Sequence, residues 1–521
     1  METKSLNIIG RQLQTNLQSA AAHLDAKAKA DARAEKVHIA GAGGVVTAAY
    51  EQLRIAAENA EEHVLLQRAI RRFYRRLFVT RDDKLIKASG AELAIELTQA
   101  GYLQNDSIAE SSLKEISRLA HEYYTAYEVL QKERRAHKRV EQWTLEVLAV
   151  RIEWLINDPS LTSAYVQFVY DYYISSGKAA SLFTETPSDL DTSLYVAIHR
   201  ALLKSDLASI RTGLLSRYQQ EPAQIEQFTQ INAQIDTLLN SPTVERLFRY
   251  IDRHGAPLRV LKHLIEDDPD TATRLSNPND LLGSFEAQVE TEYKTITARI
   301  NRGIIKSVVF LIITKFLIGL AIEVPYDYLV NGAIVFVPLL INLFFPPLYM
   351  LLLRGTLMLP SAANSQRLSQ QLEEILYGQP KKQLESKRPT SFGAGYNIAY
   401  GLAFVIVFGG IGYWLHAAFE FELLHLFIFF LFLSGASFLG FRLSRLIREV
   451  EAIDSDQNAI TTVRDFLYMP FVVVGRYMSE KYAQVNIVAL ALDMLIELPL
   501  KTILRLIRQW AAFIGSKQDQ L

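Results

Sequence analysis

Ile304–Ile322 reads IIKSVVFLIITKFLIGLAI, and this stretch decides the class of the chain. At about 1.5 Å per residue a helix of this length crosses about 30 Å of hydrocarbon. Thirteen of its residues are Leu, Ile, Phe or Val, and Lys315 stands near its middle. On an insertion scale the apolar residues contribute roughly −4 to −8 kcal/mol, against about +3 for one central lysine. The segment is therefore expected to enter a bilayer. Three more stretches follow with the same character: Leu329–Leu353, Ile398–Leu415 and Leu423–Phe441.

The flanks of these stretches are asymmetric in charge. Lys294, Arg299, Arg302 and Lys306 precede the first or lie at its start. Arg354, Arg367, Lys381, Lys382, Lys387 and Arg388 lie between the second and third, and Arg442, Arg445 and Arg448 follow the fourth. The two short connections, Glu323–Tyr328 and Ala417–Glu422, hold Glu323, Asp327, Glu420 and Glu422 and no Lys or Arg. The positive-inside rule then predicts a multi-pass membrane protein with both termini cytoplasmic and two outer hairpins. Tyr326, Tyr328, Tyr413 and Trp414 are expected at the outer boundary. The opening METKSLNIIG has no apolar run, so no cleaved signal peptide is expected.

Composition agrees. The chain has 521 residues, too many for one core. Half of them are hydrophobic, and the mean hydropathy is +0.08. Lys and Arg number 55 against 56 Asp and Glu, a net charge of −1, which argues against a nucleic-acid partner. The absence of cysteine excludes disulfide scaffolds, Cys-ligated zinc, iron–sulfur clusters and a Cys nucleophile.

The reading is all-α: a helical cytoplasmic domain, a four-helix transmembrane region and an amphipathic C-terminal segment. Gly44–Val79 carries apolar residues near helical spacing. Ser107 with Glu110 reads as a capping box opening Ile108–Lys132. Asn157-Asp158-Pro159 should stop a helix running through Trp143–Ile156. Further helices are expected at Ser160–Ser175, Asp189–Lys204, Leu207–Tyr218, Pro222–Leu239, Thr243–Arg253 and Ala256–Glu266. A last helix, Asp280–Arg302, should run on into the first span. The first forty residues read as a partner-binding arm or as a helix lying on its own domain. Regions are placed at 1–157 (long helices), 158–300 (shorter helices), 301–355 (first hairpin), 356–395 (cytoplasmic loop), 396–441 (second hairpin) and 442–521 (interfacial segment). Within the last, Phe466–Met478 and Val485–Leu498 are too short to cross and read as interfacial or re-entrant. Leu500–Ile514 reads as a helix lying in the inner leaflet or packed on the cytoplasmic domain.

Two sets of residues stand out. Lys315 needs a partner, because an ionised group in a span usually faces a bundle interior or aqueous cavity. Asn331, Asn342, Asp493 and Glu497 are the candidates. Pro338, Pro346 and Pro347 should kink the second span. The other set is basic: Arg68, Arg71, Arg72, Arg75 and Arg76, then Lys132, Arg134, Arg135, Lys138 and Arg139. Such clusters bind anionic lipid, a phosphorylated ligand or an acidic partner, unless local carboxylates such as Glu58, Glu61 and Glu62 neutralise them. Small residues in spans three and four, with Ala436 and Gly440 spaced four apart, predict close helix packing. Gly41-Ala42-Gly43-Gly44 lacks the spacing of a nucleotide loop, no His pair has metal-ligand spacing, and no catalytic motif is present. The aromatic run Tyr165–Tyr173 reads as core or interface and not as a nucleic-acid platform, because no basic residues interleave with it. No cofactor and no enzymatic activity are expected.

The segments GVVTAAYEQLRIAAENAEEHVLLQRAIRRFYRRL, LYVAIHRALLKSDLASIRTGLL and FLYMPFVVVGRYMSEKYAQVNIVALALDMLIELPLK resemble an uncharacterised multi-span membrane-protein family of small-genome candidate-phylum bacteria. The resemblance implies an inner-membrane location and carries no site or activity. The expected function is a membrane-anchored scaffold or interaction protein, with a protein partner or a homo-oligomer. The alternative is an oligomeric transporter or channel using Lys315 and the kinked span. Replacing Lys315 by Leu is expected to disable a transporter and to leave a scaffold untouched.

Overall fold

Short polar side chains mark where many of the helices begin. The Asp82 carboxylate accepts from the amides of Lys84 and Leu85, at 3.0 and 3.3 Å. Asp206 does the same for Ser209 at 2.9 Å, and Ser241, followed by Pro242, for Thr243 at 3.1 Å. These caps satisfy amides that have no partner inside the helix. The structure is a computed structural model. It describes residues 5–33, 62–105, 107–132, 137–218, 225–268, 270–357, 360, 362–379, 394–452 and 459–484. Every element among these is a helix, so the chain is all-α. Contacts divide it into two units, Met1–Gln288 with Ser365–Arg388, and Val289–Asn364 with Pro389–Leu521.

In the first unit the helices fall close to the sequence reading: Glu62–Thr80, Glu110–Lys132, His137–Ile156, Ser160–Ser175, Leu207–Arg217, Ile225–Leu239, Pro242–His254 and Ala256–Asp267. Two boundaries differ. Ser107 does not cap; its hydroxyl donates to the Gln104 carbonyl at 2.7 Å, and the helix starts at Glu110. The helix expected through Lys204 is α-helical only over Leu190–Ile198, then widens into a π turn at His199–Leu203. Lys204 closes that turn in the left-handed region, at φ 53°. Tyr74, Tyr123, Trp143 and Val147 are central to the core. Tyr165, Phe168, Tyr170 and Tyr173 of the aromatic run are buried too.

Ile8–Arg33 lies on its own unit. It buries Ile9, Leu13, Leu17 and Ala20 and packs along Ser160–Ser175. Gln14 Nε2 donates to Ser276 Oγ at 2.6 Å, and Asn7 Nδ2 to the carbonyls of Ile375 and Gly378 at 2.8 and 2.9 Å. Apolar burial every three to four residues fixes it there. The stretch Ala362–Tyr377, expected within a loop, is a helix whose Leu368, Leu372 and Leu376 are fully buried.

Arg211 is the electrostatic centre of this unit. Its guanidinium donates to Glu146 Oε2 at 3.2 Å, to Asn232 Oδ1 at 3.0 Å and to Asp236, and it lies over the Trp143 ring. A buried guanidinium is tolerable only with such partners.

The second unit holds the apolar helices. Four are long and apolar enough to cross a membrane: Pro278–Asn331, Phe336–Thr356, Tyr400–Phe419 and Leu423–Arg448. The first includes Pro278–Ile318, a π turn at Gly319–Glu323 and Val324–Asn331. Glu323–Tyr328 is therefore helix, and the sequence reading of it as a hairpin is corrected. The hairpin comes later, at Gly332, whose φ of 68° suits a residue without a Cβ. Large apolar side chains such as Phe310, Ile313, Phe316, Val405 and Ile406 stand exposed. Continuous apolar surface of this kind marks a lipid- or protein-facing region.

Small residues act as expected in the fourth span. A Cβ on Gly440 would meet Leu353 Cδ1 of the second span at 2.7 Å. In the third, Gly401, Gly409 and Gly410 have open space beside them, as Gly435 of the fourth does, and Gly412 is in ordinary contact range of Phe430. Ala459–Gln484 does not lie apart from the spans. It packs on the fourth, with the Tyr468 hydroxyl donating to the Ser437 carbonyl at 2.5 Å, and Phe471 joins the core of Val407, Phe421 and Phe429. The expected helices within 485–514 lie outside the described residues.

Two stability outcomes follow. Arg211→Ala leaves Glu146 and Asn232 without their charged donor and should cost about 3–5 kcal/mol, read by denaturant unfolding of the purified chain. A Cβ on Gly475 would come within 2.1 Å of the Ser434 carbonyl oxygen. Gly475→Ala should therefore lower the unfolding temperature in detergent, by an amount equivalent to about 1–3 kcal/mol. An unchanged midpoint would show that the two helices are not in backbone contact.

Candidate functional site

An α-helix turns about 100° per residue, so Lys315 and Glu323, eight apart, should sit about 80° apart around the axis. The π turn at Gly319–Glu323 takes up an additional residue and cancels most of that offset. Glu323 then shares a face with Lys315, and Asp327 falls one turn further along the same face. Lys315 Nζ donates to Glu323 Oε1 at 2.7 Å, and their side chains are 1% and 0% exposed. Nζ also lies 4.8 Å from the centroid of Phe432 in the fourth span.

The second span supplies the link. Asn342 Nδ2 donates to Glu323 Oε2 at 3.3 Å and to the His425 carbonyl at 3.2 Å. One amide thus ties together the first, second and fourth spans. Pro346 lies four residues on and has no N–H, so the Asn342 carbonyl has no helical donor there. The Asp327 carboxylate accepts from the Val335 amide at 3.1 Å through Oδ2, closing the hairpin. Its Oδ1 lies 3.0 Å from His425 Nε2, both side chains fully buried. That approach is out of line for a hydrogen bond. Asp327 Oδ1, Asn342 Oδ1 and both ring nitrogens of His425 are left without hydrogen-bond partners. The row has a closed half at Lys315 and Glu323 and an open half at Asp327 and His425.

Of the residues singled out in the sequence, Lys315 and Asn342 come together, with Glu323 between them. Asn331 does not join; it is exposed at the end of its helix. Asp493 and Glu497 lie outside the described residues, as does Gly41-Ala42-Gly43-Gly44. Sequence reasoning missed Glu323, Asp327 and His425. It assigned both acids to an outer loop, because an α-helical wheel separates Glu323 from Lys315. The signal available was the four-residue spacing of Glu323 and Asp327, which puts two carboxylates on one helical face beside an apolar stretch.

Several of the basic residues are matched by carboxylates within the first unit; the expected Glu58 and Glu61, and the Glu62 side chain, lie outside the described residues. Arg71 lies near Glu146 and Asp206, at 3.9 and 3.8 Å. Arg75 pairs with Glu141 at 3.6 Å, and Arg76 takes both oxygens of Glu96, at 2.5 and 2.7 Å. Burial pulls the Arg71 guanidinium below its usual range, and the two acids oppose that shift. Arg68 and Arg72 also have partners. Lys138 and Arg139 are exposed. Arg134 and Arg135 lie outside the described residues, and so does the Lys132 side chain. Among the described residues no group of three His, Asp or Glu side chains could hold a metal ion. No family model, no curated protein and no solved structure matches the chain.

Proposed function

We propose that the protein is a membrane-anchored scaffold, a helical interaction domain on the cytoplasmic side held by spans that a buried polar clasp fixes together. The observation that carries this reading is the closure of Lys315. Its charge is matched by Glu323 on its own helix, and Asn342 carries the contact to the fourth span. Interhelical polar contacts of this kind hold membrane helices in one arrangement. Nothing in the closed half needs a ligand to complete it. The cytoplasmic placement of the termini rests on the charge asymmetry of the flanks, and the inner-membrane location on the family resemblance alone. The proposed partners are a protein, or further copies of this chain, with anionic lipid at Lys138 and Arg139. No nucleic acid and no catalysis enter this reading.

A second reading, transport of protons or small cations, has one specific observation in its favour. His425 and Asp327 are buried together, and the ring lacks hydrogen bonds. Buried titratable groups inside spans are common in proton relays.

The clasp changes what a Lys315 substitution means. Lys315→Leu leaves Glu323 as an unpaired buried acid, so a scaffold would also suffer, by about 3–5 kcal/mol. The double variant Lys315→Leu with Glu323→Leu removes both charges. For a scaffold it should restore stability to within about 1 kcal/mol of the wild type and keep the co-purifying partner. A pH-gradient-driven flux in proteoliposomes that disappears in His425→Gln, with the fold intact, would transfer the assignment to transport. Gentle purification from native membranes followed by mass spectrometry checks the scaffold directly: a stoichiometric protein partner is expected. Vesicle binding should rise with anionic lipid and fall in a Lys138→Gln, Arg139→Gln variant.

A further inference from the structure

The first unit contains a cavity of about 570 Å³, within the range of small-molecule sites. Helices Glu62–Thr80, His137–Ile156, Ser160–Ser175, Leu207–Arg217 and Ala256–Asp267 contribute to its wall, together with the π turn at His199–Leu203. Three buried polar groups on that wall are incompletely matched. Glu153 is 8% exposed, and its carboxylate accepts from Asn157 and Gln67 but pairs with no cation. The Gln67 amide, 1% exposed, donates to Ser209 Oγ at 3.0 Å and to Glu153, and its Oε1 has no partner. His199 Nδ1 meets Ser205 Oγ at 3.1 Å, and its buried Nε2 has no partner.

The other charges on the wall are already matched. Lys262 binds Glu266 at 2.9 Å. Asp158 is held by the Ser160 amide at 3.0 Å, with Lys27 at 3.6 Å. The cavity therefore has one buried acid with no counter-charge. Burial pushes the Glu153 carboxyl up to about 7 and the His199 imidazolium down to about 4, so at neutral pH the ring is uncharged. An ionised carboxylate in such a place is costly unless a cation or more donors reach it. When ionised, Glu153 accepts through both oxygens, which calls for a ligand with a cationic N–H group. Trp154, Val166 and Leu203 offer apolar surface for the rest of it. A bare metal ion is a poor match, because no three His, Asp or Glu groups converge among the described residues.

We propose that this cavity binds a small organic cation, an ammonium or guanidinium group on an apolar body, with Glu153 as its counter-ion. The wide turn at His199–Leu203 shapes the wall. π turns inside α-helices recur at functional sites. The ligand would make this unit a sensor whose occupancy stiffens the helices around it.

The test uses the full chain in detergent micelles and calorimetric titration with 1,4-diaminobutane, agmatine and tyramine. The neutral probes are 1,4-butanediol and 4-ethylphenol. At least one cation should bind saturably with one site per chain, and at least about tenfold more tightly than its neutral counterpart. Glu153→Gln should weaken it at least about tenfold, while Glu153→Asp should recover part of the loss. Val166→Phe, which fills space without touching charge, should also weaken binding and gives the reading if Glu153→Gln does not fold. No saturable binding of any of the three cations at millimolar concentration would show a cavity filled by water only and overturn the proposal. So would equal binding of the neutral probes, or undiminished binding in Glu153→Gln.

Discussion

An ammonium group in apolar surroundings must be closed by an opposite charge, and the second unit is arranged around that requirement. Lys315 cannot reach water, so Glu323 must reach Lys315. In a regular α-helix it would point away. The π turn supplies the missing rotation at the cost of one poorly bonded turn. Once Glu323 faces inward, its second oxygen needs a donor, and Asn342 provides one. That same amide then binds the His425 carbonyl and fixes where the fourth span lies. A single desolvated charge thus propagates into the register of three helices. The energetic logic is exchange of partners: no member can be removed alone, whereas a matched pair can be removed together.

The rest of the second unit packs by shape. In a bilayer, hydrophobic burial would give little drive between such apolar helices, and close approach would have to come from small side chains. Gly440 and Gly475 serve that purpose, one against Leu353 and the other against the backbone of Ser434. Gly401, Gly409 and Gly410 of the third span do not, although they looked equivalent in the sequence. A small residue permits an approach without commanding it. The partner helix must also present a ridge there, and the sequence of one span carries no information on that.

What was legible in the sequence was whatever depends on local chemistry. The helix end expected at Asn157-Asp158-Pro159 fell at its observed position, because proline acts over one turn, whereas the cap read at Ser107 did not form. The apolar spans were legible from length alone. Three things were not. The π turns at Gly319–Glu323 and His199–Leu203 have no local signature, and each rotates everything after it by most of a residue. The helix Ala362–Tyr377 looked like loop, because its apolar stripe is narrow and its solvent face is rich in Ser, Gln and Glu. The carboxylates opposite Arg71, Arg75 and Arg76 come from other helices, and only tertiary contact identifies them.

The three buried charge centres differ in how completely they are satisfied, and that difference separates architecture from function. Arg211 has partners on every side of its guanidinium, so its role ends with holding helices together. Lys315 is nearly as complete. Glu153 has donors but no cation among the described residues, and two neighbouring residues on the cavity wall, Gln67 and His199, each carry a buried polar atom without a partner. Folding does not tolerate such deficits freely, since each unmatched buried group costs about 1–3 kcal/mol. A deficit that persists beside a cavity large enough to hold its remedy is therefore the feature least explained by the fold. Asp327 with His425 is the intermediate case: the pair is buried and poorly aligned. Completeness of pairing, more than burial or charge, is the criterion that ranks these sites as places where something else must bind.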